Sequence, residues 1–242
     1  MSKVKRAIIM AAGYGTRLRP ITLSTPKPLI KVNGIRMIES VIEALLKNDI
    51  REIYVVTGYL AEKFDFLGEK YPEVTLIYNP YYSKYNNISS LYVARDHLKD
   101  VIILDGDQII KNDKILDPNF EKSGYNCVWS EGYTDEWLLQ VEKNTIVSCS
   151  RNGGEKGWRL YSISRWNQED GQKLKADLEY QFEVEKNYDI YWDDVALFCS
   201  PQNYDLGVRE MNLDDVIEID TIDELRLVDK SYDDLEHHHH HH

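Results

Sequence analysis

The chain has 242 residues, with 41 acidic against 29 basic side chains and a formal net charge of −12. It carries no basic cluster beyond a few cations in its first 31 residues, which argues against a nucleic-acid partner, and no apolar run near the ~20 residues that insert in a membrane. Residues 235–242 read as an expression tag holding six of the seven histidines. His97 is then the only other histidine, which excludes a multi-histidine zinc site and leaves little room for a histidine-based nucleophile system.

The first strand is Ala7-Ile8-Ile9-Met10, which runs directly into a glycine turn at Gly13 and Gly15. A helix begins at Met37, where Ile38, Val41, Ile42, Leu45 and Leu46 recur at helical spacing. A second strand over 53–58 precedes a helix over 61–71 with Phe64 and Leu67 facing inward. The third strand spans 74–78, a third helix 89–98, and a fourth strand 101–104 that ends in Asp105-Gly106-Asp107. His97 falls in that third helix and reads as a surface or helix-end residue. Apolar strands alternating with helices predict an α/β fold, a mostly parallel sheet with helices on both faces. Ligands of such sheets bind at the carboxyl ends of the strands, so Gly13 and Asp107 are expected to share one cleft.

The pattern changes after residue 120. Strands are expected over 126–131, 138–141, 145–150 and 159–164, with Leu174, Leu178 and Phe182 marking one more helix. No linker, repeat or low-complexity tract separates the halves. Residues 1–234 are therefore expected to form one domain, with two halves over about 1–120 and about 121–234. Cys127, Cys149 and Cys199 show no CxxC spacing and no signal peptide is apparent, so free thiols and a cytoplasmic location are expected.

Residues 11–29 read Ala-Ala-Gly-Tyr-Gly-Thr-Arg-Leu-Arg-Pro-Ile-Thr-Leu-Ser-Thr-Pro-Lys-Pro-Leu. The GxG alone fits any tight strand-to-helix turn. The segment is neither a P-loop nor the dinucleotide fingerprint, whose third glycine position holds Leu18. Its small residues, Ala11, Ala12, Gly13 and Gly15, let backbone N–H groups approach phosphate oxygens. Arg17 offers a bidentate fork, and Lys27 is held between Pro26 and Pro28. Two cations fixed beside a glycine turn suit a triphosphate.

This segment resembles the signature AAGxGxRLxPxTxxxPKxL of sugar-phosphate and related nucleotidyltransferases, with every fixed position filled. The resemblance implies the nucleotide-diphospho-sugar transferase-like, Rossmann-like fold with a mixed sheet. It implies an enzyme whose Ala11, Ala12, Gly13, Gly15 and Thr16 hold the nucleotide while Arg17 and Lys27 contact phosphates as catalytic cations. It also implies a Mg²⁺ cofactor, bound by Asp107 and by an acid on a late strand. Glu218-Ile219-Asp220-Thr221 fits that place, with Asp220 the expected partner of Asp107 and either Asp220 or Thr221 capping the next helix. Asp105 is expected to play a structural part.

The second half is rich in aromatic residues. Tyr188-Asp189-Ile190-Tyr191-Trp192-Asp193-Asp194 joins rings and carboxylates within seven residues, and Thr134-Asp135-Glu136-Trp137 is a shorter version. Such mixtures hold ammonium groups by cation–π attraction and charge. Trp129, Trp158 and Trp166 read instead as core or rim residues. Further stretches extend the resemblance, end to end, to bacterial CTP:phosphocholine cytidylyltransferases: Thr57-Gly58-Tyr59-Leu60, Tyr85-Asn86-Asn87-Ile88-Ser89-Ser90-Leu91-Tyr92, Glu136-Trp137, Tyr191-Trp192-Asp193 and Glu218-Ile219-Asp220. It implies CTP and phosphocholine as substrates, with the choline held by Trp137, Asp189, Tyr191 and Trp192. The first half, about 1–120, then reads as the nucleotide-binding half and the second, about 121–234, as the acceptor-binding half. Asn86, Asn87, Ser89 and Ser90 lie at a loop-to-helix junction, either as turn and cap residues or as readers of the pyrimidine and ribose, with Asn87 and Ser89 the expected contacts. Another phospho- or phosphono-amine, or a sugar 1-phosphate, stays open as the acceptor. So does a non-catalytic regulatory protein that binds nucleotide. Either a monomer or a homodimer is compatible with the sequence.

Overall fold

The computed structural model describes residues 1–234; the tag read at 235–242 lies outside them. Its framework is one nine-stranded mixed sheet that takes strands from both halves of the chain. The parallel part consists of β1 (Arg6–Ala11), β2 (Ile53–Thr57), β3 (Val74–Tyr78) and β4 (Val101–Asp105), in the order β4-β1-β2-β3. The register aligns Met10 with Asp105, so the first and fourth strands end side by side.

The apolar run of β1 is continuous because both of its faces are covered. Ala7, Ile9 and Ala11 pack with Ile38, Val41, Ile42 and Leu45 of α1 (Met37–Lys47). Ile8 and Met10 point the other way, into a core with Ile88 and Leu91 of α3 (Ile88–Val93) and Leu174 and Leu178 of α4 (Gln168–Glu179). Side chains alternate across a strand, so an uninterrupted apolar sequence requires two apolar layers.

The helix expected over 61–71 is a 3₁₀ turn, Ala61–Phe64, followed by α2 (Asp65–Lys70). Phe64 and Leu67 are both fully buried, as their spacing implied. The helix expected over 89–98 breaks at Ala94, whose backbone leaves the helical region (φ −100°), and resumes as a 3₁₀ turn over Arg95–His97. His97 stacks on Tyr54 with ring centroids 3.6 Å apart.

A short β5 (Gln108–Ile110) follows the Asp107 turn. The second half adds β6 (Gly124–Thr134), β7 (Leu138–Glu142), β8 (Thr145–Ser150) and the 13-residue β9 (Gly154–Trp166). Residues 163–166 of β9 pair antiparallel with β4, joining the two halves into one sheet. Both β6 and β9 run beyond the expected bounds, because the ladder between them carries glycine and polar residues that no alternation pattern marks. An unanticipated β10 (Gly207–Glu210) runs parallel to β6, and the expected late strand is β11 (Val216–Glu218), antiparallel to β5. The last helix is α5 (Ile222–Val228). No helix among the described residues is long and apolar enough to cross a membrane.

Candidate active site

The carboxyl ends of β1 and β4 open onto a cleft of about 520 Å³. Ala11, Ala12, Gly13, Tyr14, Gly15, Thr16 and Arg17 line one side, with Lys27, Asp105, Asp107, Asp220, Asn86, Asn87, Ser90 and Tyr191 around the rest. Gly13 and Asp107 do share one cleft.

The glycine turn positions Lys27. Gly15 has φ +60°, in the left-handed region, and a Cβ there would lie 2.9 Å from Lys27 Cβ and 3.1 Å from Thr22 Cγ2. The buried Thr22 hydroxyl donates to the Gly15 carbonyl at 2.8 Å and locks the turn against the Pro26-Lys27-Pro28 segment. Gly15→Ala is expected to strain the backbone by about 1–2 kcal/mol and to push Lys27 out of place. A misplacement of that kind lowers turnover by up to about 10²-fold. Steady-state kinetics beside a thermal melt will separate the two effects, with activity falling far more than stability.

Lys27 Nζ lies 2.9 Å from Asp107 Oδ2 and 3.2 Å from Asp220 Oδ1, on a side chain only 12% exposed. Burial works to lower its pKa, and the two carboxylates more than reverse this, so the ammonium is held charged. Asp220 is free to face Lys27 because Thr221, not Asp220, caps α5: the Thr221 Oγ1 accepts from Glu224 N at 3.1 Å. Arg17 is 71% exposed, with Nη2 3.7 Å from Asp220 Oδ1, and so reaches the cleft from its open side.

Asp107 and Asp220 thus converge on a single cation from two separate strand ends. This pair suits a hard divalent ion that takes its remaining ligands from phosphate and water. Among the described residues no group of three or more His, Cys, Asp or Glu is arranged to hold a metal, so a closed all-protein cage is not offered. Asp105 lies behind, its carboxyl raised well above the carboxylate range by burial and by the charges of Asp107 and Asp193. Glu218 is raised to about 7, mainly by burial, although Arg159 opposes the rise. Arg159 Nη2 lies 3.1 Å from Glu218 Oε1 and 4.0 Å from Glu136 Oε1. Sequence reasoning did not single out Arg159, whose position in a strand pattern carried no chemical signal.

The loop-to-helix junction divides differently from the expectation. Asn87 reaches the cleft, but its Oδ1 accepts from Trp192 N at 2.7 Å and fastens this loop to the second half of the chain. Ser89 is fully buried and turned inward, donating to the Asn86 carbonyl at 2.8 Å. Ser90, not Ser89, lines the cleft. Both serine hydroxyls accept from the buried Asn79 Nδ2, at 3.0 and 2.9 Å. Asn79, just past β3, had no motif to mark it. Tyr14 also lines the cleft, packing on Tyr59 and Tyr82 with centroids 4.7 and 5.7 Å apart.

Of the four expected acceptor residues, Tyr191 lines the cleft and Trp137 meets it edge to face at 5.9 Å. Trp192 is a correction. Its side chain is 2% exposed and packs on Tyr125 and Trp166 in the core, because the chain turns inward immediately after Tyr191. Asp189 is exposed and its carboxylate does not line the cleft; its contribution is a backbone carbonyl that accepts from Asn86 Nδ2 at 3.1 Å. Phe198 joins the rings instead, 5.6 Å from Trp137. Trp166 is core, and Trp129 is a rim residue set edge to face against Trp158, as expected of both.

Beneath Tyr191, Asp193 accepts from the Tyr125 hydroxyl at 2.7 Å. Its pKa is pushed up to about 7 by burial and by the Asp194 charge, against the lowering effect of that hydrogen bond. The folded state therefore keeps this proton to higher pH than the unfolded chain does. The associated stability is present at low pH and is lost as pH rises towards about 7. Asp193→Asn keeps an acceptor for Tyr125 and removes the titration. Melting temperatures between pH 5 and 8 are expected to fall less steeply for this variant than for the wild type.

The family profile described as nucleotidyl transferase matches residues 6–122. Together with full-length relatives above 30% identity, this match places the chain in the nucleotidyltransferase family. Within that class it belongs with the cytidylyltransferases. It is 35% identical over 228 residues to the 2-aminoethylphosphonate cytidylyltransferase of Lancefieldella rimae, covering 93% of this chain and 92% of that one. It is 34% identical over 226 residues to the choline-phosphate cytidylyltransferase of Streptococcus pneumoniae, covering 93% and 97%. The solved structure of the CTP:phosphocholine cytidylyltransferase of Streptococcus pneumoniae superposes with a TM-score of 0.87 at 33% identity, over 95% of this chain and 99% of that one.

Proposed function

We propose that this chain transfers the cytidylyl group of CTP to phosphocholine, giving CDP-choline and pyrophosphate. The observation that carries this reading is the placement of Tyr191, edge to face with Trp137, on the same cleft that the glycine turn and Lys27 line. A phosphorylated amine bound in this cleft would put its phosphate near Lys27 and its ammonium against aromatic rings. The likeness to the Streptococcus pneumoniae enzyme supports the same reading. A sugar 1-phosphate brings no cation for these rings to hold.

In this mechanism an anionic oxygen of the acceptor phosphate attacks the α-phosphorus of CTP in line. The new P–O bond forms as the bond from the α-phosphorus to the bridging oxygen of the β-phosphate breaks, and pyrophosphate leaves with that electron pair. The nucleophile is already anionic, so no strong base is needed. Backbone N–H groups around Gly13 and Gly15 cradle the triphosphate, Lys27 neutralises charge where it accumulates, and Arg17 closes the open side. Asp107 and Asp220 would hold Mg²⁺, whose charge, when bound, offsets that of the phosphates. A reaction fed by CTP belongs in the cytoplasm.

The second reading is a primary-amine acceptor such as 2-aminoethylphosphonate. Its support is the 35% identity to the Lancefieldella rimae enzyme, which matches as much of this chain. The test is pyrophosphate release with CTP and Mg²⁺, with phosphocholine, phosphoethanolamine, 2-aminoethylphosphonate and glucose 1-phosphate compared at equal concentration. Phosphocholine is expected to give the highest kcat/KM. A higher value with the phosphonate would replace the choline assignment and keep the roles of Lys27, Asp107 and Asp220. No turnover with any of the four, despite a Mg²⁺-dependent thermal shift with CTP, would favour a non-catalytic nucleotide-binding protein.

A further inference from the structure

The aromatic group beside the cleft already holds a cation from the chain itself. Arg151, in the turn between β8 and β9, places its guanidinium carbon 3.9 Å from the ring centroid of Phe198 and 5.3 Å from that of Trp137. Its Nη1 lies 2.8 Å from Asp194 Oδ1, and Asp194 is only 2% exposed. The other oxygen of that carboxylate, Oδ2, accepts from Tyr191 N at 2.8 Å. Arg151 itself is 44% exposed and sits on a turn, so its head group has an open route to solvent.

We propose that Arg151 is a displaceable occupant of the acceptor's ammonium site, and that acceptor binding exchanges the guanidinium for the substrate's quaternary ammonium. This inference rests on the amine-acceptor reading given above. The rings attract either cation through the same electrostatics, but two cations at one aromatic group repel. Asp194 makes the exchange selective. If Arg151 left without a replacement, a buried carboxylate would stay uncompensated, which is costly. A ligand that brings its own positive charge to these rings removes that penalty, and a neutral head group does not. Arg151 would therefore set specificity by occupying the site until a cationic acceptor arrives.

The test is calorimetric titration of choline alone into the wild type, Arg151→Gln and Arg151→Lys, with KM for phosphocholine and for CTP measured alongside. Removing the competing cation is expected to tighten choline binding by about three- to tenfold in Arg151→Gln, the size of one cation–π contact. Arg151→Lys is expected to stay near the wild type. KM for phosphocholine is expected to fall in parallel while KM for CTP holds. Unchanged or weaker choline binding in Arg151→Gln would overturn the exchange and make Arg151 a support for the rings. No choline binding by any of the three proteins would overturn it as well.

A measurement on the wild type covers the case in which the variants fold poorly. The Arg151 Hε resonance should carry a ring-current shift from Phe198 and Trp137 that collapses on titration with choline but not with equal NaCl. A shift that survives saturation with choline refutes displacement. Turnover of phosphocholine by the wild type without the KM change would leave the choline reading standing and the exchange refuted. Tighter choline binding by Arg151→Gln in a protein that does not use phosphocholine would give the reverse.

Discussion

Lys27→Ala is expected to lower kcat for pyrophosphate release by about 10²–10³-fold, the cost of losing one preorganised charge at a phosphoryl centre. The side chain is 12% exposed and its Nζ sits between Asp107 and Asp220, so solvent cannot supply an equivalent cation. The substitution also leaves the Asp107 and Asp220 carboxylates without the cation they share, adding like-charge repulsion to the loss. The effect should fall mainly on kcat, because the charge that Lys27 offsets grows as the pyrophosphate leaves, and KM for CTP should rise less. Lys27→Arg is not expected to restore the rate. The planar fork is wider than an ammonium and cannot reproduce the single nitrogen that meets both Asp107 and Asp220. Steady-state kinetics with CTP and phosphocholine provide the check, and near wild-type turnover by Lys27→Ala would remove the lysine from the mechanism.

The second large effect is expected at Asp107. Asp107→Asn keeps the shape of the side chain and removes its charge, and should also cost about 10²–10³-fold in kcat. The signature that separates a cation-holding role from a purely structural one is the Mg²⁺ titration. The half-saturating concentration should rise sharply for Asp107→Asn and for Asp220→Asn, whereas Asp193→Asn should leave it unchanged. A Mg²⁺ dependence that Asp107→Asn does not alter would mean that the carboxylate only anchors Lys27. Thermal melts without nucleotide would then show that anchoring directly, as a loss of stability in Asp107→Asn comparable to that in Lys27→Ala.

Much of the nucleotide side of this site is legible in the amino-acid sequence. The run of residues 7–10 has to be buried on both faces, and a glycine turn directly after it has to lie at a strand's carboxyl end. Asp105-Gly106-Asp107 closes the neighbouring strand by the same logic, and the register of β1 against β4 brings the two together. The acceptor side is less legible. Its aromatic content points to a cation site, yet Trp192 belongs to the core, Asp189 contributes a backbone carbonyl, and Phe198 and Arg151 complete the ring group unannounced. Adjacent residues in an irregular segment can point in opposite directions, and no periodicity records which one faces the ligand.

The sequence by itself therefore determined the local facts: the two-faced strand, the glycine turn that ends it, the proline-braced lysine and the strand-end acids. Each follows from backbone sterics or side-chain alternation within a few residues. Only the tertiary structure decided which distant groups meet. It brought Asp220 to Lys27 across 193 positions of sequence, gave the helix cap to Thr221 so that Asp220 stayed free, turned Ser89 inward and Ser90 to the cleft, and placed Arg151 against Phe198. These outcomes depend on which side chains the two core layers leave room for, a property of the packed whole that no short stretch of sequence contains.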